Sequence, residues 1–360
     1  MTSLLHTEAI RRAGVVRHVS IRARLDLTEP TSQTFRSVTT LAFEATGGAA
    51  TFVDVQARRI ESASLNGAPL DIHETYDPAT GRLALTGLRE HNELVVDAEM
   101  AYSHDGEGLV RHVDPADGRL YLYAMSFLDA APRWFACFDQ PDLKAPFTLE
   151  LTCPPEWTVA GNGPAVQAAP GRWTLTQTRP VATYMTTLLA GPYHSVRGEH
   201  DGIPLVLHAR ASLAQYLDRD ADALLEHTAR CLDEFHRLFG VRYPWGEYHQ
   251  AFVPDFNAGA MENPGCITFR DQLMFRSRVP DGEVIDRDNT IAHEMAHMWL
   301  GDLVTMRWWD DLWLNESFAE YLGHAVCAAV GEPRAWLSFG VERKAWGYAA
   351  DRRPSTHPAD

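Results

Sequence analysis

The apolar residues of this chain repeat with a period of two up to about residue 200 and with a period near 3.6 after about residue 210. The first alternation runs from Val19 to Leu27, with arginines on the opposite face. Further short strands are predicted at 38–43, 51–55, 83–85, 94–100, 120–123, 147–151, 173–175 and 184–189. Because turn sequences such as Asn66-Gly67 separate these runs, they predict an antiparallel, sheet-rich first domain over residues 1–197.

The second period predicts a helix-rich domain over residues 198–360. An amphipathic helix is expected from Leu224 to Phe239, with Gly240 as its stop. Strands at 248–253 and 266–269 flank a loop at 257–265, and two further helices are predicted at 284–300 and 314–330. The whole chain is therefore predicted to be α+β.

Composition narrows the possible functions of these 360 residues. Asp and Glu number 48 against 32 Lys and Arg, so the formal charge of −16 disfavours nucleic acid and anionic membranes as partners. No apolar run reaches the length of a membrane span, and residues 1–14 lack the apolar core of an export signal. The five cysteines form no CxxC pair, which predicts buried thiols in a reducing cytoplasm.

The strongest chemical signal is the HExxH pattern from His293 to His297 in the second predicted helix. Residues four apart project from one helix face, so both imidazoles can bind one metal ion. The intervening Glu294 can then reach a metal-bound water as a general base, and zinc is the ion that suits such a site. The alternative is a pair of surface histidines on a charged helix face.

A third metal ligand is predicted at Glu316, in the next helix. The segment 303–312 is long enough to fold back after Gly301, which would bring Glu316 to the metal. Eighteen residues separate His297 from Glu316, and in this the sequence resembles the gluzincin metallopeptidases, whose signature has that spacing. Glu320, one turn later, has two possible roles: it supports the metal site, or it is an ordinary exposed carboxylate.

The segment Gly259-Ala260-Met261-Glu262-Asn263 resembles the exopeptidase motif of the aminopeptidase N type zinc metallopeptidases. The resemblance implies that these five residues lie along the substrate and that Glu262 binds its N-terminal ammonium. It also implies one zinc ion per chain, peptide substrates with a free N-terminus, and a thermolysin-like second domain. Small residues and a carboxylate suit that task, since the substrate backbone must approach closely.

Two departures from the family pattern stand out. Where the family has a Gln or Glu that assists in binding the amine, this chain has Phe127, beside Met125 and Ser126. Asp129 either substitutes for that group or serves packing or a turn. The family's oxyanion-stabilising tyrosine is expected beyond Asp360, and since Tyr321 and Tyr348 come too early, the catalytic domain is expected to be truncated.

The resemblance implies an aminopeptidase of the aminopeptidase N class that removes the N-terminal residue of peptides, with Glu294 as general base and then acid. Three alternatives remain: a related zinc hydrolase of non-peptide substrates such as epoxides, an HExxH endopeptidase, and an inactive scaffold on the same fold if the chain is truncated. Ala258 and Met261 suggest a pocket for an apolar or basic side chain at the cleaved residue.

Overall fold

The computed structural model of the protein describes residues 3–356, so the ends of the predicted domains, residues 1–2 and 357–360, lie outside the described part. The first part is built mainly of strands, with two short helices, α1 (His6–Ala13) and α2 (Ile72–Thr75). Its strands are β1 (Val16–Asp26), β2 (Thr34–Ala45), β3 (Thr51–Asp54), β4 (Arg59–Leu65), β5 (Ala68–Pro69), β6 (Tyr76–Asp77), β7 (Arg82–Leu85), β8 (His91–Ala101), β9 (Gly108–Val113), β10 (Leu120–Met125), β11 (Phe147–Thr152), β12 (Thr158–Gly161), β13 (Ala165–Ala169), β14 (Arg172–Leu175) and β15 (Leu188–Gly191).

These strands form three sheets. The largest has the order β13-β14-β11-β1-β2-β8-β4-β5, and the others have the orders β12-β15-β10-β9 and β3-β7-β6. In β1 the alternation follows burial, because Ile21, Ala23 and Leu25 lie in the core while Arg22 and Arg24 are exposed. Pairing in these sheets is antiparallel except between β1 and β11, which run parallel over Ile21–Asp26.

The predicted strand at 184–189 is wrong in its first half. Thr183–Met185 forms a 3₁₀ turn, and the strand there, β15, begins only at Leu188. The turn satisfies its own polar groups, since the amide and hydroxyl of Thr186 donate to the carbonyl of Thr183 at 3.0 and 2.6 Å. Local hydrogen bonding of this kind competes with a sheet ladder.

The second part contains five strands and the longer helices. In chain order its elements are β16 (Tyr193–His200), β17 (Ile203–Arg210), α3 (Ala214–Phe239), β18 (Tyr248–Val253), β19 (Ala260–Met261), β20 (Cys266–Arg270), α4 (Asp281–His297), α5 (Leu312–Ala329), α6 (Ala335–Ser338) and α7 (Lys344–Asp351). The sheet has the order β16-β17-β18-β20-β19. Helix α3 ends at Gly240, whose φ of +64° suits glycine. The predicted α+β class is confirmed.

Strand β16 crosses the predicted domain boundary after residue 197. All eight of its residues pair with β17, from Tyr193 opposite Arg210 to His200 opposite Ile203. A boundary at 197 would divide one sheet, so we propose that the second part begins at β16.

Among residues 3–356 no helix combines the length and apolarity needed to cross a bilayer. All five cysteines are buried and free.

Candidate metal centre

Helix α4 presents His293 and His297 on one face. Asp281 and Glu283 lie in its first turn, where the helix dipole stabilises negative charge. The two histidines are one turn apart, and their Nε2 atoms lie 3.1 Å from each other. The helix ends at His297, three residues before the predicted end, because the amide of Met298 bonds to the carbonyl of Met295 and tightens the last turn.

Helix α5 packs against α4 and brings Glu316 to the two imidazoles. Its Oε2 atom lies 3.5 Å from Nε2 of His293 and 3.8 Å from Nε2 of His297. Gly323 permits this approach, since a Cβ atom there would lie 3.1 Å from the backbone nitrogen of His293. Gly323 was not predicted from the sequence, because a single glycine inside a helical pattern does not indicate where two helices cross.

The spacing of the three candidate ligand atoms fits a zinc ion. In a tetrahedral zinc site with metal–nitrogen distances of about 2.0–2.1 Å, neighbouring ligand atoms lie roughly 3.3–3.4 Å apart. The separations of 3.1, 3.5 and 3.8 Å bracket that value. Two imidazoles and one carboxylate also leave a fourth position for water or substrate, as catalytic zinc sites do.

Both imidazoles are held from their other nitrogen. Nδ1 of His297 donates to the carbonyl of Leu300 at 3.1 Å, and Nδ1 of His293 lies 3.2 Å from Oε2 of Glu320. Such partners fix the tautomer that leaves Nε2 free for a metal. The open question about Glu320 is thus resolved geometrically: its carboxylate contacts His293 rather than standing free in solvent.

Glu320 is itself held by two residues that the sequence analysis missed. Nε2 of His324 lies 3.0 Å and Nε of Arg343 lies 3.2 Å from its Oε1 atom. The spacing of four residues between Glu320 and His324 was a usable signal, since such pairs meet on one helix face. Nothing local in the sequence marked Arg343.

Burial and neighbouring charges shift the pKa values of the two imidazoles in opposite directions. Burial opposes protonation of His293, but the hydrogen bonds that its imidazole donates to the carboxylates of Glu316 and Glu320 outweigh burial and raise the pKa of His293 to about 10. Burial and the neighbouring His293 lower the pKa of His297 to about 4. Carboxylates concentrated around two imidazoles are an environment that a bound dication would stabilise.

Two buried carboxylates, those of Glu262 and Glu294, border the cluster. One oxygen each from Glu262 and Glu294 lies within 4.8 Å of the other and of a ring nitrogen of His297. Burial raises the pKa of Glu294 to about 8, against the opposing field of His293. Burial, followed by the charges of Glu294 and Glu316, raises the pKa of Glu262 well above its usual range.

One oxygen of the buried Glu262 side chain has no hydrogen-bond partner among the described residues. The residue is 4% exposed, and Oε1 accepts no hydrogen bond from any described residue. A buried acceptor in this state carries a desolvation cost of about 1–3 kcal/mol or more until a donor reaches it. The oxygen therefore marks a place where a ligand donor is missing.

The segment around Glu262 was predicted as a loop, and part of it is instead a strand. Ala260 and Met261 form β19, which pairs with Phe269 and Thr268 of β20. This strand is the edge of its sheet, so its outer backbone groups are available to an extended peptide.

The residues on either side fix this edge strand in place. The carbonyl of Gly259 accepts from the amide of Arg270 at 3.0 Å, and Nδ2 of Asn263 donates to the hydroxyl of Thr268 at 3.1 Å. The five predicted substrate-binding residues thus lie side by side next to the metal cluster.

The departures noted in the sequence have defined positions. Phe127 is half-buried and packs its ring against Tyr184 and Trp309. Asp129 is exposed and its carboxylate accepts a bond from the hydroxyl of Ser3 at 3.4 Å. Tyr321 and Tyr348 are more than half exposed.

Comparison with known proteins agrees with this geometry. The profile described as the peptidase family M1 domain matches residues 223–360. Aminopeptidase N of Streptomyces lividans is 46% identical over 368 residues, covering 99% of this chain and 42% of the relative.

Two further relatives match about half of this chain. Aminopeptidase N of Acetobacter pasteurianus is 36% identical over 201 residues, covering 53% of this chain and 55% of the relative. Aminopeptidase Ey of Gallus gallus is 36% identical over 202 residues, covering 53% of this chain and 21% of the relative. The chain thus spans about half or less of the length of these relatives. By these matches, the chain belongs to the M1 peptidase family of the aminopeptidase N type.

Proposed function

We propose that this protein is a zinc-dependent aminopeptidase that hydrolyses the first peptide bond of peptides with a free N-terminus. The observation that carries the proposal is the unpaired Oε1 atom of Glu262, a buried acceptor beside a complete set of zinc ligands. A substrate ammonium supplies the missing donor and a compensating charge. The names of the relatives point to the same reaction.

His293, His297 and Glu316 are the residues that would hold one zinc ion. When bound, zinc supplies Lewis-acid polarisation of the scissile carbonyl and acidifies a water ligand. Glu320 and the carbonyl of Leu300 keep the two imidazoles in the binding tautomer.

Glu294 is the group that moves protons. It is 5% exposed and borders His297 without belonging to the set of three ligands. Its carboxylate accepts a proton from the attacking water and then donates it to the leaving amine. Burial raises the pKa of this carboxyl above its usual range, which makes Glu294 a stronger base than an exposed glutamate.

Glu262 and β19 position the substrate. The Glu262 carboxylate binds the N-terminal ammonium, so the first peptide bond is the one that reaches the cluster. The substrate backbone binds in an extended conformation along residues 259–263, at the edge of the sheet that β19 forms.

The test is to measure zinc content and hydrolysis of aminoacyl-anilides by the full-length protein. One zinc per chain and turnover lost on chelation are expected. A preparation with native circular dichroism that binds no zinc and hydrolyses no anilide would contradict the proposal, and so would hydrolysis of an epoxide alone.

We also propose that the protein works in the cytoplasm, in peptide turnover. Five buried free thiols support a reducing compartment. Fractionation of the native cells tests this, with recovery in the exported or membrane fraction as the contrary result.

A further inference from the structure

A cavity of about 330 Å³ lies between α3, the connection from β20 to α4, and the first turns of α4. It is lined by three arginines, Arg219, Arg278 and Arg287, and by one acidic residue, Asp220. This local excess of positive charge is opposite in sign to the formal charge of −16 on the whole chain. None of the described residues that line the cavity belongs to the metal centre or to residues 259–263, so the cavity is separate from the proposed active site.

Arg287 forms the buried wall of this cavity. The residue is 5% exposed, its Nη1 atom donates to Oδ2 of Asp220 at 3.2 Å, and its guanidinium carbon lies 4.6 Å from the ring centroid of Phe275. Its Nε atom is buried and donates no hydrogen bond to any described residue, since the carboxylate of Asp288 is 3.8 Å away. A buried cation with an unused donor carries a desolvation cost until an acceptor reaches it.

Asp220 is shared between two of the three guanidinium groups. Its carboxylate accepts from Nε and Nη2 of Arg219 at 2.7 and 3.2 Å, in addition to the bond from Arg287. Burial opposes ionisation, but the hydrogen bonds from Arg219 and Arg287 outweigh burial and lower the pKa of Asp220, so the carboxylate is charged at neutral pH. One carboxylate cannot neutralise two guanidinium groups, and a net positive charge remains.

Arg278 adds a third positive charge from the connection between β20 and α4. It is exposed and forms no hydrogen bond or ion pair with any residue of the described part of the chain. Its five N–H donors are therefore available to a ligand, and the exposed Ser277 lines the cavity beside it. Of the acidic residues in the first turn of α4, Asp281 pairs with Arg334 at 3.0 Å, and neither it nor Glu283 lines the cavity.

We propose that this cavity is a binding site for a phosphate group, held by Arg219, Arg278 and Arg287. Phosphate carries roughly two negative charges at neutral pH, which match three guanidinium groups and one carboxylate. Its oxygens accept the donors that the three arginines have left unused, and the planar fork of arginine suits a phosphate group because two N–H groups can bind two oxygens. The proposal does not depend on the aminopeptidase reaction.

The surroundings of the arginines favour such a ligand. Phe275, Val279 and Val284 supply apolar surface in the same cavity, and the attraction between opposite charges grows as water is excluded. A bound phosphate would contact α3 through Arg219 and α4 through Arg287. Because it would bind the folded protein and not the unfolded chain, it should raise the melting temperature as its concentration rises.

The experiment is calorimetric titration of the full-length protein with inorganic phosphate, at pH 8 and low ionic strength in a buffer without anions that compete. We expect saturable binding of one phosphate per chain, and binding of acetate and chloride at least tenfold weaker. Arg278→Ala should weaken phosphate binding at least tenfold without changing stability in the absence of phosphate, since this side chain contacts no described residue. Arg276→Ala is the matched control, because Arg276 is exposed two residues away and does not line the cavity.

A phosphate ester, glycerol 3-phosphate, is titrated alongside inorganic phosphate. If Arg278→Ala weakens both and Arg276→Ala weakens neither, the site is supported, and the tighter of the two ligands shows whether it takes an ester or the free ion. Thermal unfolding should agree, with phosphate raising the melting temperature of the wild type and of Arg276→Ala more than that of Arg278→Ala. Absence of saturable binding by either ligand, or equal affinities in Arg278→Ala and Arg276→Ala, overturns the proposal.

Discussion

Nδ1 of His293 lies 3.2 Å from Oε2 of Glu320, one helical turn beyond Glu316 on α5. The same short segment of helix therefore offers one carboxylate to the Nε2 side of the imidazole and another to its Nδ1 side. Because the Nδ1 contact is made to Glu320, Nε2 is the ring nitrogen that faces Glu316 and His297 and that would bind a metal ion.

Removing that outer carboxylate should weaken the metal site without unfolding it. Glu320→Ala is expected to lower zinc affinity about 10–100-fold, since His293 loses the acceptor that holds its tautomer. Glu320→Gln, which keeps an acceptor oxygen, should lose less. Chelator competition measures the affinity, Glu226→Ala on exposed α3 surface is the control, and equal affinities in all variants would refute the role.

The approach of α5 to α4 depends on Gly323. In Gly323→Ala the new methyl would lie 3.1 and 3.2 Å from backbone atoms of His293, which cannot move without parting the helices. Overpacking of this kind costs about 1–3 kcal/mol of unfolding free energy, and zinc affinity should fall as well. Gly347→Ala, which meets no atom within 4 Å, should be neutral or stabilising by up to about 1 kcal/mol. Denaturant unfolding measures the free energy of unfolding of both variants. Equal values for Gly323→Ala and Gly347→Ala would contradict this packing.

Glu294 should be separable from metal binding. Glu294→Gln keeps the size of the side chain but removes the proton acceptor, so kcat should fall by about 10²–10⁴ or more while zinc content stays at one per chain. Retained activity would remove Glu294 from the mechanism, and lost zinc would make it a ligand.

The ion pair of Glu8 and Arg82 should give stability that depends on pH. The two side chains meet at 2.8 and 2.9 Å and join α1 to β7, each less than a quarter exposed. The hydrogen bond from Arg82 lowers the pKa of Glu8 despite partial burial. Because the pKa of Glu8 is lower in the folded state, the ion pair stabilises the fold at pH values above the unfolded pKa of about 4.3. This contribution is lost as the pH falls from there through the folded pKa.

The variant Glu8→Gln should therefore be less stable than the wild type by about 1 kcal/mol at pH 7, and the difference should vanish as the pH falls toward 3. Thermal unfolding at several pH values measures it, with exposed Glu29→Gln as control. A difference that stays constant or grows toward acid pH would contradict this account.

Local periodicity was enough to predict much of the fold. The strand β1 and the C-terminal part of α3 follow from the spacing of their own apolar residues, and the proximity of His293 to His297 follows from one helical turn. The ligand roles of these residues, and of Glu316, stay predictions until metal is measured.

What the sequence could not predict depends on distant partners. The parallel pairing of β1 with β11 joins residues more than a hundred positions apart, and the contact of Glu320 with His293 requires two helices to cross at Gly323. The turn at Thr183–Met185 was hidden because its apolar residues match a strand while its threonines bond locally. Phe127 was noticed as a departure, but its packing on Trp309 was not foreseeable.

The most direct test of the central claim is the ratio of kcat/KM for leucyl-anilide to that for its N-acetylated form, with zinc-loaded full-length protein. If Glu262 binds the ammonium beside the metal, the wild type should prefer the free amine by about a thousandfold, and Glu262→Gln should lose about 1.5–3 kcal/mol of that preference with zinc content unchanged. Equal hydrolysis of both substrates by the wild type, or a preference that is undiminished in Glu262→Gln, would contradict the account.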